Sequence, residues 1–139
     1  MRVLIVDDDR ASRYILAAQL AGLAECVECA SGQEAVETIR QSLTTGRLFD
    51  AVFLDIIMPR MDGHETLTRI RAAEEAAGIS PARQARAIMI TSMDDEANTM
   101  TALFDGQVSA YLIKPPNRSE LLNKLIILGL LPEDSGHAE

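Results

Sequence analysis

The chain alternates between short apolar runs and longer stretches of helical periodicity. Val3-Leu4-Ile5-Val6 is a strand-length apolar run that stops at three aspartates, Asp7, Asp8 and Asp9. A helix is expected next, with Asp9 as N-cap, Ala11, Ile15 and Ala18 on its inward side and Gly22 as its stop. Glu25 to Cys29 reads as a second strand. Ser31 followed by Glu34 forms a capping box, opening a helix with Ala35, Val36, Ile39 and Leu43 on one face. Ala51-Val52-Phe53-Leu54 is the third apolar run and ends at Asp55; Pro59 and Gly63 mark Met58 to Gly63 as a loop. A helix from about His64 to Ala77 turns Leu67, Ile70 and Ala73 inward, and Ile79 to Arg86 is a surface connection containing Pro81. Ala87-Ile88-Met89-Ile90 is the fourth strand. A helix opening at Asp94 or Asp95 follows, with Ala97, Met100, Leu103 and Phe104 on its apolar side. Ala110 to Ile113 is the fifth strand. Asn117 with Glu120 repeats the capping logic for a last helix carrying Leu121, Leu122, Leu125, Ile126 and Leu128. Residues 1–131 read as one domain and 132–139 as a polar tail.

Five strands alternating with five helices specify an α/β fold, a parallel sheet with helices on both faces. The first, third and fourth strands carry no charges, as burial on both faces requires. The second carries Glu25 and Glu28 and is expected at an edge. Open parallel sheets place their sites at the carboxyl ends of the strands, near the switch in strand order. Here those ends are Asp7-Asp8-Asp9, Asp55, Thr91-Ser92 and Lys114-Pro115. Strands that simply run into polar loops would more often show mixed polar residues than acid, acid, hydroxyl and amine in turn.

Composition narrows the possibilities. A length of 139 residues fits a single domain. The net charge of −8, from 13 basic and 21 acidic residues, argues against a nucleic-acid binder and against a coat on anionic membranes. No apolar run approaches the ~18 residues of a spanning helix, and Val3 to Val6 is too short for a signal peptide, so a cytoplasmic location is expected. Cys26 and Cys29 form a C-x-x-C, but three residues apart on a strand they face opposite ways. No second pair and no nearby His completes a metal shell, so both are expected to be reduced thiols of the core.

The rim suggests a chemistry. Carboxylates this close repel: at an effective dielectric of about 20, a pair ~4 Å apart costs about 4 kcal/mol. Either one is protonated or a cation sits among them. Hard oxygen ligands without His or thiolate suit Mg²⁺ or Mn²⁺. A divalent ion with a lysine and a hydroxyl nearby is a phosphoryl-binding arrangement, in which catalysis is mostly positioning and charge neutralisation. Asp55 is the best nucleophile, since a carboxylate can form an aspartyl-phosphate. No phosphate-cradling glycine loop is present, which favours a phosphorylated protein or a small phosphodonor over ATP as the donor.

Over about residues 2–128 the chain resembles a response-regulator receiver domain of two-component signalling, of the stand-alone type. The resemblance rests on Leu4-Ile5-Val6-Asp7-Asp8-Asp9, on Phe53 to Gly63 (with Asp55, Met58-Pro59 and Asp62-Gly63), on Ile90-Thr91-Ser92 and on Tyr111-Leu112-Ile113-Lys114-Pro115. It implies a flavodoxin-like sheet of order 2-1-3-4-5. It implies that Asp55 accepts a phosphoryl group from a sensor histidine kinase or His-phosphotransfer protein. Asp8 and Asp55 would bind Mg²⁺ directly, with the Ile57 backbone carbonyl, and Asp7 through metal-bound water. Thr91 would hydrogen-bond one phosphoryl oxygen and Lys114 would pair with another; the Lys114–Pro115 bond would be cis. Such a domain is not an enzyme beyond assisting its own phosphorylation and dephosphorylation.

The switch implied by the resemblance draws Thr91 toward the new charge, about −1.5 to −2, and turns Tyr111 into the vacated space. The plainer reading of Tyr111 is a half-buried core aromatic. Asn98, Thr99 and Thr101 are poor helix formers, so the helix opening at Asp94 or Asp95 is expected to be marginal. It would shift, with the fifth strand and the last helix, to present a changed surface to a downstream target protein. Ile57 and Met93, two residues after Asp55 and Thr91, are apolar, which predicts slow self-dephosphorylation. The usual small residues after that helix are replaced by Asp105-Gly106-Gln107-Val108. With no effector domain after Leu128, the chain is expected to act through a partner as a relay intermediate, a diffusible switch or a phosphate sink. The run from Ile126 to Leu131 has two readings, packing on its own core or a homodimer contact. His64 and His137 read as surface residues.

Two other classes compete. Asp7-Asp8-Asp9-Arg10-Ala11 resembles the opening of haloacid-dehalogenase-type phosphatases, with Asp7 as nucleophile and Asp9 as general acid. There, however, the acidic pair follows the lysine, whereas Asp94-Asp95 precedes Lys114. A pure interaction module would have no use for the complete acid, hydroxyl and amine set.

Overall fold

The computed structural model describes residues 1–92 and 108–133. Five strands, β1 (Arg2–Val6), β2 (Glu25–Cys29), β3 (Ala51–Asp55), β4 (Arg86–Thr91) and β5 (Ala110–Ile113), form one parallel sheet of order β2-β1-β3-β4-β5. The described helices are α1 (Arg10–Leu20), α2 (Gly32–Thr45), α3 (Gly63–Ala76) and α4 (Arg118–Ile127), with a short 3₁₀ turn at Pro81–Arg83. The helix expected to open at Asp94 or Asp95, Met93, the Asp105-to-Gln107 departure and His137 all lie outside the described residues.

Alternation along β1 separates two cores. Leu4 and Val6 join Val52, Leu54 and the α2 and α3 side chains Val36, Ile39, Leu67 and Ile70. Val3 and Ile5 join Phe53, Ile88 and Ile90 beneath Leu16 and Leu20 of α1 and Leu121 and Leu125 of α4. Each helix pair thus buries one face of the sheet, which is why β1, β3 and β4 are apolar on both sides. The charged second strand is at the edge, as expected. Its glutamates are held by arginines, Glu25 by Arg2 at 2.8 Å and Arg47 at 3.2 Å. Cys26 packs on one core and Cys29 on the other, so the two thiols do diverge.

The caps follow from local chemistry. Asp9, Ser31 and Asn117 each accept the amide three residues on, from Ser12, Glu34 and Glu120. Glu34 reaches back to the Ala30 amide at 3.4 Å. Asp62 caps α3 by accepting from Glu65 at 2.8 Å, so α3 starts at Gly63, one residue before the expected His64.

Several expectations need correction. On α1 the inward residues are Leu16 and Leu20, whereas Ala11 and Ala18 are exposed and Ile15 is 41% exposed. The stripe of alanines carries too little apolar area to outweigh two leucines one turn apart. His64 is half-buried, and its Nε2 is buried without a hydrogen-bond partner among the described residues, so it is not the surface residue expected. The C-terminal run, by contrast, follows one of its two expected readings: Leu128, Leu130 and Leu131 pack on the α1–α4 core, while Ile127 is exposed. No helix among the described residues is long and apolar enough to cross a membrane.

Candidate functional site

β1 and β3 lie side by side with Val6 opposite Leu54, so the residue after each strand's last core position emerges on the same rim. Asp7 is 4% exposed and Asp55 7%, while Asp8 is exposed to solvent. One carboxylate oxygen from each of Asp7, Asp8 and Asp55 lies within 4.8 Å of the others. Asp9, in contrast, faces away into its capping role, with Ser12 Oγ donating to it at 2.6 Å.

Lys114 reaches the acids from β5. Its amide donates to the Thr91 carbonyl at 2.8 Å, and the Lys114–Pro115 bond is cis. Its Nζ sits 2.7 Å from Asp7 Oδ2 and 3.2 Å from Asp55 Oδ2. One ammonium therefore bridges two buried carboxylates. Asp55 Oδ1 also accepts from the Ile57 amide at 3.3 Å.

Charge crowding bears on the protonation of Asp55 and Lys114. Burial, and then the neighbouring Asp7 charge, push Asp55 from an ordinary 3.8 up to about 6, although Lys114 and the Ile57 amide pull the other way. Burial disfavours the Lys114 ammonium, but the Asp7 hydrogen bond and the charges of Asp55 and Asp7 outweigh it and hold its pKa above the usual value. One lysine does not neutralise three acids, and the excess negative charge is what a hard cation answers. An all-oxygen donor set with one solvent-exposed member fits an ion that keeps some of its waters.

Thr91, at the end of β4, is 2% exposed; its hydroxyl donates to the Ser92 carbonyl at 3.1 Å. Tyr111 is half-buried against the α2–α3 core. Ile57 is 49% exposed beside Asp55. The predicted residues Asp7, Asp8, Asp55 and Lys114 thus come together, while neither Thr91 nor Tyr111 makes a hydrogen bond to Asp55 among the described residues. Gly63 packs against the acid strand: a Cβ there would lie 2.5 Å from the Asp55 carbonyl oxygen. Its amide donates to the Ile56 carbonyl at 2.8 Å.

Sequence reasoning passed over three supports of this site. Arg13 donates to the Asp7 carbonyl, Gln19 to the Pro116 carbonyl at 2.8 Å, and Asp62 fixes the loop after Asp55. Asp62 was within reach, since Asp62 with Glu65 repeats the spacing of Ser31 with Glu34. Arg13 and Gln19 act on residues that only the fold brings near. Beside the site, Ile5, Ile15, Leu16, Phe53, Ile90 and Pro116 line a cavity of about 240 Å³ that Asp7 and Lys114 also border.

Known proteins are similar to this chain in sequence and fold. A family model described as the response regulator receiver domain matches residues 3–126. The response regulator MprA of Mycobacterium avium is 32% identical over 99% of this chain and 56% of its own length. The histidine kinase CKI1 of Arabidopsis thaliana is 38% identical over 56% of this chain, which is 8% of the kinase. This chain therefore spans about half or less of those curated relatives. The CKI1 receiver domain crystallised with Mg²⁺ and BeF₃⁻ superposes with a TM-score of 0.73 at 28% identity, covering 93% of this chain and 88% of that one. The CheX–CheY complex of Borrelia burgdorferi with BeF₃⁻ and Mg²⁺ gives 0.76 at 27% identity, covering 94% and 90%. With the family model covering nearly the whole chain and the strand order, acids and lysine in place, the chain belongs to the response regulator receiver domain family of two-component systems.

Proposed function

We propose that Asp55 accepts a phosphoryl group from the phosphohistidine of a sensor kinase or His-phosphotransfer protein, in a Mg²⁺-dependent transfer, and that the modified domain engages a downstream target. The observation that carries this reading is the Lys114 ammonium bridging the two buried acids. It leaves Asp55 held in place and ionisable, with a cation already where phosphoryl oxygens would lie.

Asp8, Asp55 and the Ile57 carbonyl would hold Mg²⁺, with Asp7 acting through bound water; the ion supplies positive charge against the phosphoryl oxygens. An Asp55 carboxylate oxygen forms the new O–P bond while the donor's P–N bond breaks. The electron pair of that bond returns to the donor imidazole nitrogen, which takes up a proton. Lys114 stays within reach of the transferred oxygens and offsets their charge. Thr91 then turns its hydroxyl from Ser92 to a phosphoryl oxygen, and Tyr111 follows inward. Hydrolysis of the acyl phosphate returns Asp55, and the domain catalyses nothing else. Ile57 beside the site offers the attacking water no polar partner, so the phosphoryl group is retained. The complex of a CheY with CheX shows that a similar domain is crystallised with a partner protein, in keeping with output through protein contact.

Acetyl phosphate with Mg²⁺ separates this reading from a phosphatase that uses Asp7 as nucleophile. Asp55→Asn is expected to abolish incorporation of the phosphoryl group into the protein. Retained labelling of Asp55→Asn, with loss only in Asp7→Asn, would favour the phosphatase.

A further inference from the structure

Every polar group of Asp7 is engaged. Its amide donates to the Cys29 carbonyl at 3.1 Å, Oδ1 accepts from the Asp9 amide at 2.9 Å, and Oδ2 meets Lys114 at 2.7 Å. Its carbonyl oxygen accepts from an Arg13 guanidinium nitrogen at 2.7 Å. That oxygen belongs to the peptide unit linking Asp7 to Asp8. Arg13 therefore fixes the orientation of the peptide from which the exposed Asp8 carboxylate projects. Asp8 itself has no side-chain hydrogen bond or ion pair among the described residues, so its placement depends on the backbone beneath it.

Arg13 is in turn anchored. Its Nε lies 3.2 Å from Glu28 Oε1 on the edge strand, and its side chain is only 15% exposed although it stands on the first turns of α1. The planar guanidinium makes both contacts at once, one nitrogen to the carbonyl and another to the carboxylate. A lysine ammonium on a flexible stem cannot reproduce that fork.

From these contacts we infer that Arg13 is a positioning residue for the acid site: it holds the Asp7–Asp8 peptide, and through it Asp8, in the geometry that takes up the cation, with Glu28 orienting the guanidinium. The inference rests on the reading of the acids as a Mg²⁺ site. Groups that orient the ligands of a metal typically change affinity 10–100-fold when removed. Arg13 touches a backbone oxygen rather than a carboxylate, so the lower end, about tenfold, is expected.

Isothermal titration of MgCl₂ into the full chain tests this directly, with amide NMR shifts of Asp8 and Asp9 as a second readout. Arg13→Ala is expected to weaken Mg²⁺ binding about tenfold and to move the Asp8 amide resonance in the metal-free protein. Arg13→Lys, which keeps the charge and most of the stem, should recover only part of the affinity; it carries the test alone if the alanine variant fails to fold. Arg47→Ala, which breaks a comparable ion pair to Glu25 far from the rim, should bind as wild type. Unchanged binding in folded Arg13→Ala, or full recovery by lysine, overturns the inference while leaving the functional reading intact. A wild-type chain that binds no Mg²⁺ overturns both.

Discussion

Asp55 is an acid held against both burial and a neighbouring charge. Its carboxyl is raised from 3.8 to about 6 by burial and by Asp7. A folded-state pKa above the unfolded one means that the native state binds this proton more tightly. The associated stability is fully present below pH ~4 and is lost as pH rises through about 6. In the metal-free protein at pH 7, Asp55→Asn should therefore be more stable than wild type by roughly 1–3 kcal/mol. The gap should close toward pH 4, and thermal unfolding across that range checks it. Lys114 follows the same sign in a higher window: its raised pKa contributes stability that persists through neutral pH and disappears only as alkaline pH removes its proton.

At the scale of elements, the loop after β3 is closely packed on the strand that carries Asp55. Gly63 sits where a Cβ would meet the Asp55 carbonyl oxygen at 2.5 Å and Ile56 Cα at 2.9 Å. Backbone atoms cannot move aside cheaply, so Gly63→Ala should cost about 1–3 kcal/mol and slow labelling of Asp55, measured by denaturant unfolding and by mass. The other end of α3 is held by Glu74, 4% exposed, which accepts from the Ala85 amide at 2.8 Å and pairs with Arg71 at 2.7 Å. Glu74→Ala should cost about 2–3 kcal/mol by leaving a buried amide unsatisfied and a guanidinium without this acid, with Asp55 labelling retained.

These elements also show what a sequence discloses. Strands β1, β3 and β4 were legible because burial on both faces demands uninterrupted apolar runs, and the acidic β2 had to be an edge. Asp7, Asp8, Asp55 and Lys114 were legible because parallel strands deliver their carboxyl ends to one rim. The inward face of α1 was not: Ile15 and the alanines offer as regular a stripe as Leu16 and Leu20, and only the sheet beneath decides between them. Glu74 carries no signal in Glu74-Glu75, since its partner amide is eleven residues away and across a loop. Arg13 gave no signal because its acceptor is a backbone oxygen.

Across the whole molecule, two cores on either face of one sheet build a rigid platform whose rim concentrates negative charge. α1 links that rim to the edge strand through Arg13 and to the Lys114 loop through Gln19. A cation that binds the folded rim and not the unfolded chain stabilises the fold by mass action. Mg²⁺ should thus raise the unfolding temperature of wild type more than that of Asp55→Asn, a difference that differential scanning calorimetry resolves. The most direct measurement is the intact mass of the full chain after treatment with acetyl phosphate, with Mg²⁺ or with EDTA, followed by mapping of the modified residue. One phosphoryl group on Asp55, present with Mg²⁺ and absent with EDTA, is the expected result; no added mass, or mass that maps elsewhere or forms equally in EDTA, would contradict a magnesium-dependent aspartyl acceptor.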